Sequence, residues 1–130
     1  EAWKEFEWRL EEPRLKLKLE KLPGTLIQNH SFQNKRLLLV CEQGIGDTFQ
    51  FLRMLEPLLE VTKKISILVP PRLERFIKGS LKSVEVCSRE NELSDFEFLI
   101  PIMSIPHRLQ ICEPFFEKPY LHAEKRLKTN

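Results

Sequence analysis

The sequence lacks the features that mark several large classes of protein. It contains no apolar run near the ~20 residues that a transmembrane helix requires, and no signal-peptide pattern opens the chain. The 21 basic and 19 acidic side chains give a formal net charge of +2, without the strong positive excess that binding to nucleic acid requires. These absences predict a cytoplasmic protein with no transmembrane segment and no nucleic-acid partner.

Paired cysteines and acidic metal-binding motifs are also missing. The three cysteines, Cys41, Cys87 and Cys112, are odd in number and widely spaced, and no CxxC pair is present. We expect reduced, mostly buried thiols, with neither a disulfide nor a zinc site. No DxD motif is present either. The sequence therefore predicts no metal site and no cofactor.

The most informative stretch joins an apolar run to a pair of glycines. Residues 37–41 are continuously apolar, as in a parallel strand that is buried on both faces. Gly44 and Gly46 follow, and apolar residues then recur between positions 51 and 59 at the three- and four-residue spacing of a helix. A strand, a glycine turn and a helix form the opening unit of a doubly wound α/β fold, in which ligands bind where strands end and helices begin.

The glycine turn has two interpretations. Gly44 and Gly46 would let the backbone approach a ligand closely, and the free N–H groups of the following helix would favour an anion. Alternatively, glycine simply suits a tight turn and Asp47 is a helix N-cap, which is the interpretation that the turn favours when it is taken alone. A nicotinamide or flavin site is not expected, because Phe49 stands where the dinucleotide motif needs a small residue. The acid that the motif needs at the end of the second strand is also missing, since that strand runs into Val69-Pro70-Pro71.

Three further apolar runs predict strands parallel to the first. They cover residues 65–69, 84–86 and 96–100, and the spacing of the first two strands suits a βαβ unit. Pro57 predicts a kink or a restart in the intervening helix. Residues 101–106 contain two prolines and predict an irregular segment at the same end of the sheet as the glycine turn.

Aromatic residues dominate the N-terminus. Trp3, Phe6 and Leu10 fall on one side of a predicted short helix, and Trp8 falls outside that stripe. So much apolar area must dock on a surface, either of this domain or of an upstream helix. Residues 15–19 alternate with period two, which fits either an edge strand protected by lysines or a continuing helix.

The length of 130 residues fits one folded domain with short additions. Residues 1–34 are predicted to form the aromatic helix and a linker. Residues 35–122 are predicted to form a Rossmann-like α/β domain, with a parallel sheet flanked by helices. Residues 123–130 read as a polar tail.

Five stretches of the chain, in this order, are the basis of a resemblance: FEWR at 6–9, LLLVC at 37–41, EQGIGDTFQF at 42–51 followed by Arg53, PIMSIP at 101–106 and PYL at 119–121. Together they resemble a family of bacterial proteins in which a tetratricopeptide-repeat array precedes a glycosyltransferase-like region, distantly similar to heptosyltransferases. The resemblance runs from about Trp3 to Leu121. The EQGxGDxxQF stretch is its most specific part.

The resemblance implies a GT-B architecture, in which two Rossmann-like domains face each other across a cleft. This chain would supply the end of the repeat region and the N-terminal, acceptor-side domain of an inverting, metal-independent glycosyltransferase. A nucleotide-sugar donor would bind a C-terminal domain outside this chain, so we expect the isolated fragment to be inactive. The implied partners are a sugar, glycan or protein acceptor and the upstream repeat helices.

Two other functions are compatible with the residues. The chain would be a non-catalytic protein-interaction module with a Rossmann-like fold if the aromatic cluster of Trp3, Phe6 and Trp8 binds another protein. It would be a binder of phosphate or a small nucleotide if the turn at Gly44 and Gly46 cradles an anion.

The resemblance also implies roles for individual residues. Asp47 falls on the aspartate of the heptosyltransferase glycine turn, where a carboxylate would take the proton of the acceptor hydroxyl as the new C–O bond forms. As an N-cap, Asp47 would instead bond the backbone of its own helix. Arg53 would reach an acceptor anion or pair with Glu56 or Glu42. The candidate acceptor-binding residues are Gln43, Gly44, Gly46, Gln50, Arg53 and His107.

Overall fold

A five-stranded sheet, parallel throughout, is the frame of the computed structural model, which describes residues 2–27, 31–42, 44–93 and 95–109. The strands are β1 (Thr25–Leu26), β2 (Arg36–Val40), β3 (Lys64–Leu68), β4 (Glu85–Cys87) and β5 (Phe98–Pro101). Central Leu39 lies opposite Ile67 of β3 on one side and Ile100 of β5 on the other. The four predicted strands and their parallel pairing are therefore confirmed.

The strand order is β1-β5-β2-β3-β4. Four neighbouring strands, β4-β3-β2-β5, have the 3-2-1-4 order of doubly wound sheets. The chain moves outward from β2 through β3 to β4 and then returns to form β5 on the other side of β2. The molecule thus has a mixed α/β fold that is compatible with a Rossmann-like fold. Its switch point, where such folds bind ligands, lies at the carboxyl ends of β2 and β5.

Helices connect and cover the strands. They are α1 (Ala2–Phe6), α2 (Pro13–Glu20), α3 (Ile45–Leu52), α4 (Leu55–Val61), α5 (Pro71–Ser80) and α6 (Ile105–Leu109), with 3-10 helices at Glu7–Glu11, Glu90–Glu92 and Ile102–Ser104. The break between α3 and α4 confirms the restart that Pro57 predicted. Pro57 lies in the first turn of α4, where a backbone N–H would have no partner in the helix.

The apolar side chains of β2 alternate between two cores. Leu37 and Leu39 point to a core that is closed by α3, α4, α5 and α6, whereas Leu38 and Val40 point to a smaller core beneath α2. All four side chains have no exposed surface. Both faces of β2 are therefore buried, which explains its unbroken apolar sequence.

Helix α2 covers the sheet face that a crossover helix would normally cover. Of the residues described between β4 and β5, only Glu90–Glu92 are helical, and they form a single 3-10 turn. Leu15 and Leu19 of α2 pack instead against that face, next to Leu99 of β5. The period-two pattern of residues 15–19 thus belongs to a helix, not to an edge strand.

The N-terminal segment docks on this same domain. The Trp3 ring meets the rings of Phe6 and Phe51 edge-on, with both pairs of centroids 5.9 Å apart, whereas Trp8 is 77% exposed. The predicted docking of Trp3 and Phe6 is confirmed on this domain, but Leu10 does not share their surface and packs against the smaller core beneath α2. Of the predicted exposed cluster, Trp8 alone is exposed. The linker predicted within residues 1–34 contains β1, which pairs with β5.

The cysteines, the domain boundaries and the absence of a transmembrane segment were also predicted from the sequence. Cys41 and Cys87 are buried free thiols, as expected, whereas Cys112 and the predicted tail at 123–130 lie outside the described residues. The boundaries at 34 and 122 stay predictions. Among the helices that the structure describes, none combines the length and apolar character that a membrane crossing needs.

Candidate functional site

The glycine turn follows β2 at the switch point and leads into α3. Gly44 is the N-cap of α3 and has an ordinary φ of −65°, and Gly46 also has a negative φ. A Cβ atom at either position would meet no atom within 4 Å among the described residues, its own helix backbone and chain neighbours aside. By contrast, Gly24 has a φ of 98°, and a Cβ there would lie 2.7 Å from Phe96. Neither conformation nor internal packing therefore requires glycine at 44 or 46.

Asp47 lies in the first turn of α3 and is half-buried. The predicted N-cap role is wrong, because Gly44 occupies the N-cap and no side chain in the described part of this turn makes a capping bond. The carboxylate nevertheless lies in the first turn of α3, where the backbone N–H groups have no partner within the helix.

The other predicted site residues are spread over the same end of the sheet. Gln50 and Arg53 are exposed on and after α3, and Gly44 and Gly46 are exposed in the turn. His107 is half-buried on α6. Gln43 lies outside the described residues.

A buried ion pair fills the switch point itself. Glu42, directly after β2, has no exposed side-chain surface and accepts two hydrogen bonds from Arg9, Nε to Oε2 at 2.9 Å and Nη2 to Oε1 at 2.8 Å. The Met103 backbone N–H, directly after β5, donates to Glu42 Oε1 at 2.9 Å. The partner of Glu42 shown by these contacts is Arg9, and the pairing of Arg53 with Glu56 or Glu42 stays a prediction. These bonds join three distant parts of the chain at one point.

A second acid extends this network toward α6. Arg9 Nη2 donates to Ser104 Oγ at 2.7 Å, and Arg9 Nη1 donates to Glu7 Oε2 at 2.7 Å. Ser104 Oγ donates in turn to Glu7 Oε2 at 2.9 Å, and Arg108 Nη2 lies 3.4 Å from Glu7 Oε1. The Arg9 guanidinium also lies over the Phe6 ring, 4.6 Å from its centroid, which is a cation–π geometry.

Burial and hydrogen bonding act in opposite directions on these cations. Burial lowers the pKa of Arg9, but the hydrogen bonds and charges of Glu42 and then Glu7 outweigh it, so the pKa is raised above its usual value. For Arg108, burial dominates over the charge of Glu7, and the pKa is lowered. Both side chains hold carboxylates, so we assign the network a structural role that fastens the N-terminal segment to the sheet.

Two cavities flank this network. One, of about 430 Å³, is lined by Arg9, Glu12, Arg14, Leu15, Lys18 and Glu42. The other, of about 640 Å³, has an apolar floor that includes Leu99 and a charged rim that includes Glu7, His107 and Arg108. His107 therefore lines a cavity, but residues of α2 and β1 line this cavity with it, and no described residue of the glycine turn does.

The remaining reactive groups to consider are the Cys41 thiol and possible metal ligands. Burial raises the pKa of Cys41 to about 11, and the hydrogen bond with Thr48 only partly opposes this. Cys41 is thus a protonated, unreactive thiol at neutral pH. No group of three or more potential metal ligands occurs within the described ranges.

Sequence reasoning missed the main feature of the site. Arg9 and Glu42 are 33 positions apart, and Arg9 and Ser104 are 95 apart. The only signal was that both FEWR and EQG belong to the resemblance described above. Comparison with protein-family models, with curated proteins and with solved structures found no match for this chain.

Proposed function

We propose that this chain is the acceptor-side domain of a bacterial inverting glycosyltransferase of GT-B architecture, with Asp47 as its general base. The observation that carries the proposal is the glycine turn at the switch point. Glycine within a helix costs about 1 kcal/mol relative to alanine, and Gly46 is the second residue of α3. Since neither its φ nor its neighbours require glycine, close approach of a ligand accounts for it.

The position of Asp47 supports the proposed chemistry. An inverting transfer needs a carboxylate beside the acceptor hydroxyl, and Asp47 is one residue from Gly46 and is not used as an N-cap. Closure of a donor domain over the turn would exclude water from the carboxylate and the acceptor hydroxyl.

The test compares two glycine-to-alanine variants in the intact protein. Gly46→Ala places a methyl group in the turn, whereas Gly79→Ala places one near the end of α5, where a Cβ also meets no atom within 4 Å. Both should fold normally and gain up to about 1 kcal/mol in free energy of unfolding. Only Gly46→Ala should lower sugar transfer, by about a hundredfold, because a ~1 Å displacement of the acceptor disrupts attack.

Transfer is measured as release of nucleotide from UDP-, GDP- and ADP-sugars in the presence of extracted bacterial glycans and proteins as acceptors. Equal turnover of the two variants would contradict a ligand at the glycine turn. Absence of turnover by the unmodified protein with every donor would contradict the transferase itself.

A second candidate function rests on Trp8. A tryptophan that is 77% exposed, on a segment docked by its other aromatic residues, favours a protein-interaction module. In that case Trp8→Ala, and not Gly46→Ala, should abolish binding of an upstream repeat-helix peptide. Calorimetric titration of that peptide into the two variants separates the two functions.

A further inference from the structure

The smaller cavity lies at the carboxyl end of β2, on the sheet face that α2 covers. Its wall combines Glu42, which directly follows β2, with four residues of α2 and its N-cap, Glu12, Arg14, Leu15 and Lys18. Its volume of about 430 Å³ is within the range of small-molecule sites. It is thus beside the glycine turn but bounded by different residues.

Both acidic groups in the cavity wall already have hydrogen-bond donors. Glu42 accepts from Arg9 and from the Met103 N–H. Glu12 caps α2, with Oε1 3.1 Å from the Arg14 backbone nitrogen and Oε2 3.0 Å from that of Leu15. The carboxylates therefore serve the fold, and their charges are compensated within the wall.

Two cations of the wall keep donors for a ligand. Lys18 Nζ donates to the Cys41 carbonyl at 2.6 Å, which uses one of its three N–H donors. The Arg14 side chain is exposed and has no ion pair within the described ranges. Together with Arg9, the wall carries three cations and two anions, so the lining has a net positive charge.

We propose that this cavity binds the phosphoryl group of a small phosphorylated molecule, with Arg14 and Lys18 as its ligands. The planar guanidinium of Arg14 can bind two phosphate oxygens at once, and the compact ammonium of Lys18 binds a third. The bond from Lys18 to the Cys41 carbonyl fixes the ammonium at the mouth of the cavity before a ligand arrives. The rest of the cavity accommodates the organic part of the ligand. The site depends on the cavity alone and stands whether or not the transferase proposal does.

The test is calorimetric titration at constant ionic strength with inorganic phosphate, inorganic pyrophosphate and glucose 1-phosphate, and with glucose as the uncharged comparison. The three phosphates should bind and glucose should not. Arg14→Gln should weaken binding by at least about tenfold, because a charged hydrogen-bond donor is lost. Its melting temperature without ligand should change little, since the exposed guanidinium interacts with Glu12 only through its charge, as the smallest of the causes that lower the pKa of that carboxyl.

The matched control is Arg72→Gln, which removes an exposed arginine from α5 and should leave all three affinities unchanged. Lys18→Gln should also weaken binding, and its far-ultraviolet circular dichroism shows whether it remains folded. The proposal is overturned if no phosphate binds at millimolar concentration, or if Arg14→Gln and Arg72→Gln bind phosphate equally. Neither result affects the comparison of Gly46→Ala with Gly79→Ala, because neither glycine lines this cavity.

Discussion

At the scale of single residues, glycine has two different meanings in this chain. Gly24 is required by its φ of 98° and by the nearby Phe96 ring, whereas Gly44 and Gly46 are required by neither conformation nor packing. The sequence predicts Gly44 and Gly46 in a turn, but only the structure separates a glycine needed by the fold from one available to a ligand.

A substitution at Asp47 distinguishes an effect on stability from an effect on sugar transfer. Since it does not cap α3, Asp47→Asn removes only a charge near the helix N-terminus, which is worth about 0.3–1 kcal/mol. We expect a melting temperature close to that of the unmodified protein. In the intact protein, transfer should fall by at least about a hundredfold, because asparagine cannot accept the proton. Unchanged turnover would show that the base is another group, with His107 as the next candidate.

The Arg9–Glu42 pair should matter for stability rather than for transfer chemistry. In Arg9→Met, the Glu42 carboxylate, which has no exposed surface, keeps the Met103 N–H as its one hydrogen-bond donor among the described residues. An unpaired buried charge typically costs about 3–5 kcal/mol. Urea unfolding at pH 7 measures this loss. The double variant Arg9→Met/Glu42→Leu removes both charges and should recover part of it. A loss below about 1 kcal/mol in the single variant would mean that water reaches Glu42.

At the scale of elements, α2 shows why pattern alone was ambiguous. Alternating leucine and lysine at 15–19 has the period of a strand, but Leu15 and Leu19 are also four positions apart and share one helix face. Only Leu17 is left exposed, at 54%. The helix is favoured over a strand by Pro13 at the first helical position and by Glu12 as N-cap. It is also favoured by the uncovered sheet face on which α2 packs, and the sequence near α2 gives no sign of that face.

Two leucines of α2 give a matched pair of variants. Leu19→Ala removes a side chain that is 5% exposed from the smaller core and should lower the free energy of unfolding by about 2–5 kcal/mol. Leu17→Ala changes the same residue type two positions away, on the solvent side, and should cost less than about 0.5 kcal/mol. Urea denaturation of both variants measures the difference. Similar losses for the two would contradict the docking of α2.

The cap of α2 should give part of its stability a pH dependence. Hydrogen bonds from the backbone N–H groups of Leu15 and then Arg14 lower the pKa of Glu12 below its usual value. A lowered folded-state pKa means that the carboxylate stabilises the protein above its unfolded pKa of about 4.3, and that this contribution is lost as pH falls through the folded pKa. The difference in unfolding free energy between the unmodified protein and Glu12→Gln should therefore be full at pH 7 and should shrink below about pH 4. A difference that stays constant over this interval would exclude a charged cap.

At the scale of the whole molecule, the sequence predicted the sheet far better than its covering. Four strands, their parallel pairing and the helix break at Pro57 follow from local apolar runs and one proline, which are signals within a few residues. Strand β1, with two residues, and the Arg9–Glu42 pair depend on contacts between distant segments. Such contacts leave no periodicity in the sequence, so a short strand and a buried ion pair could not be read from it.

The N-terminal segment should therefore unfold together with the sheet. Trp3 packs on Phe51 of α3, and α2 closes the smaller core, so separating residues 2–27 would expose apolar surface on both sheet faces. A Trp8→Phe variant leaves Trp3 as the single tryptophan and makes its fluorescence a reporter of that segment. In urea, we expect the Trp3 fluorescence transition and the far-ultraviolet circular dichroism transition to have the same midpoint, as in a two-state unit. A fluorescence change at clearly lower urea would show that the segment detaches first, and it would place the domain boundary near position 34, where the sequence predicts it.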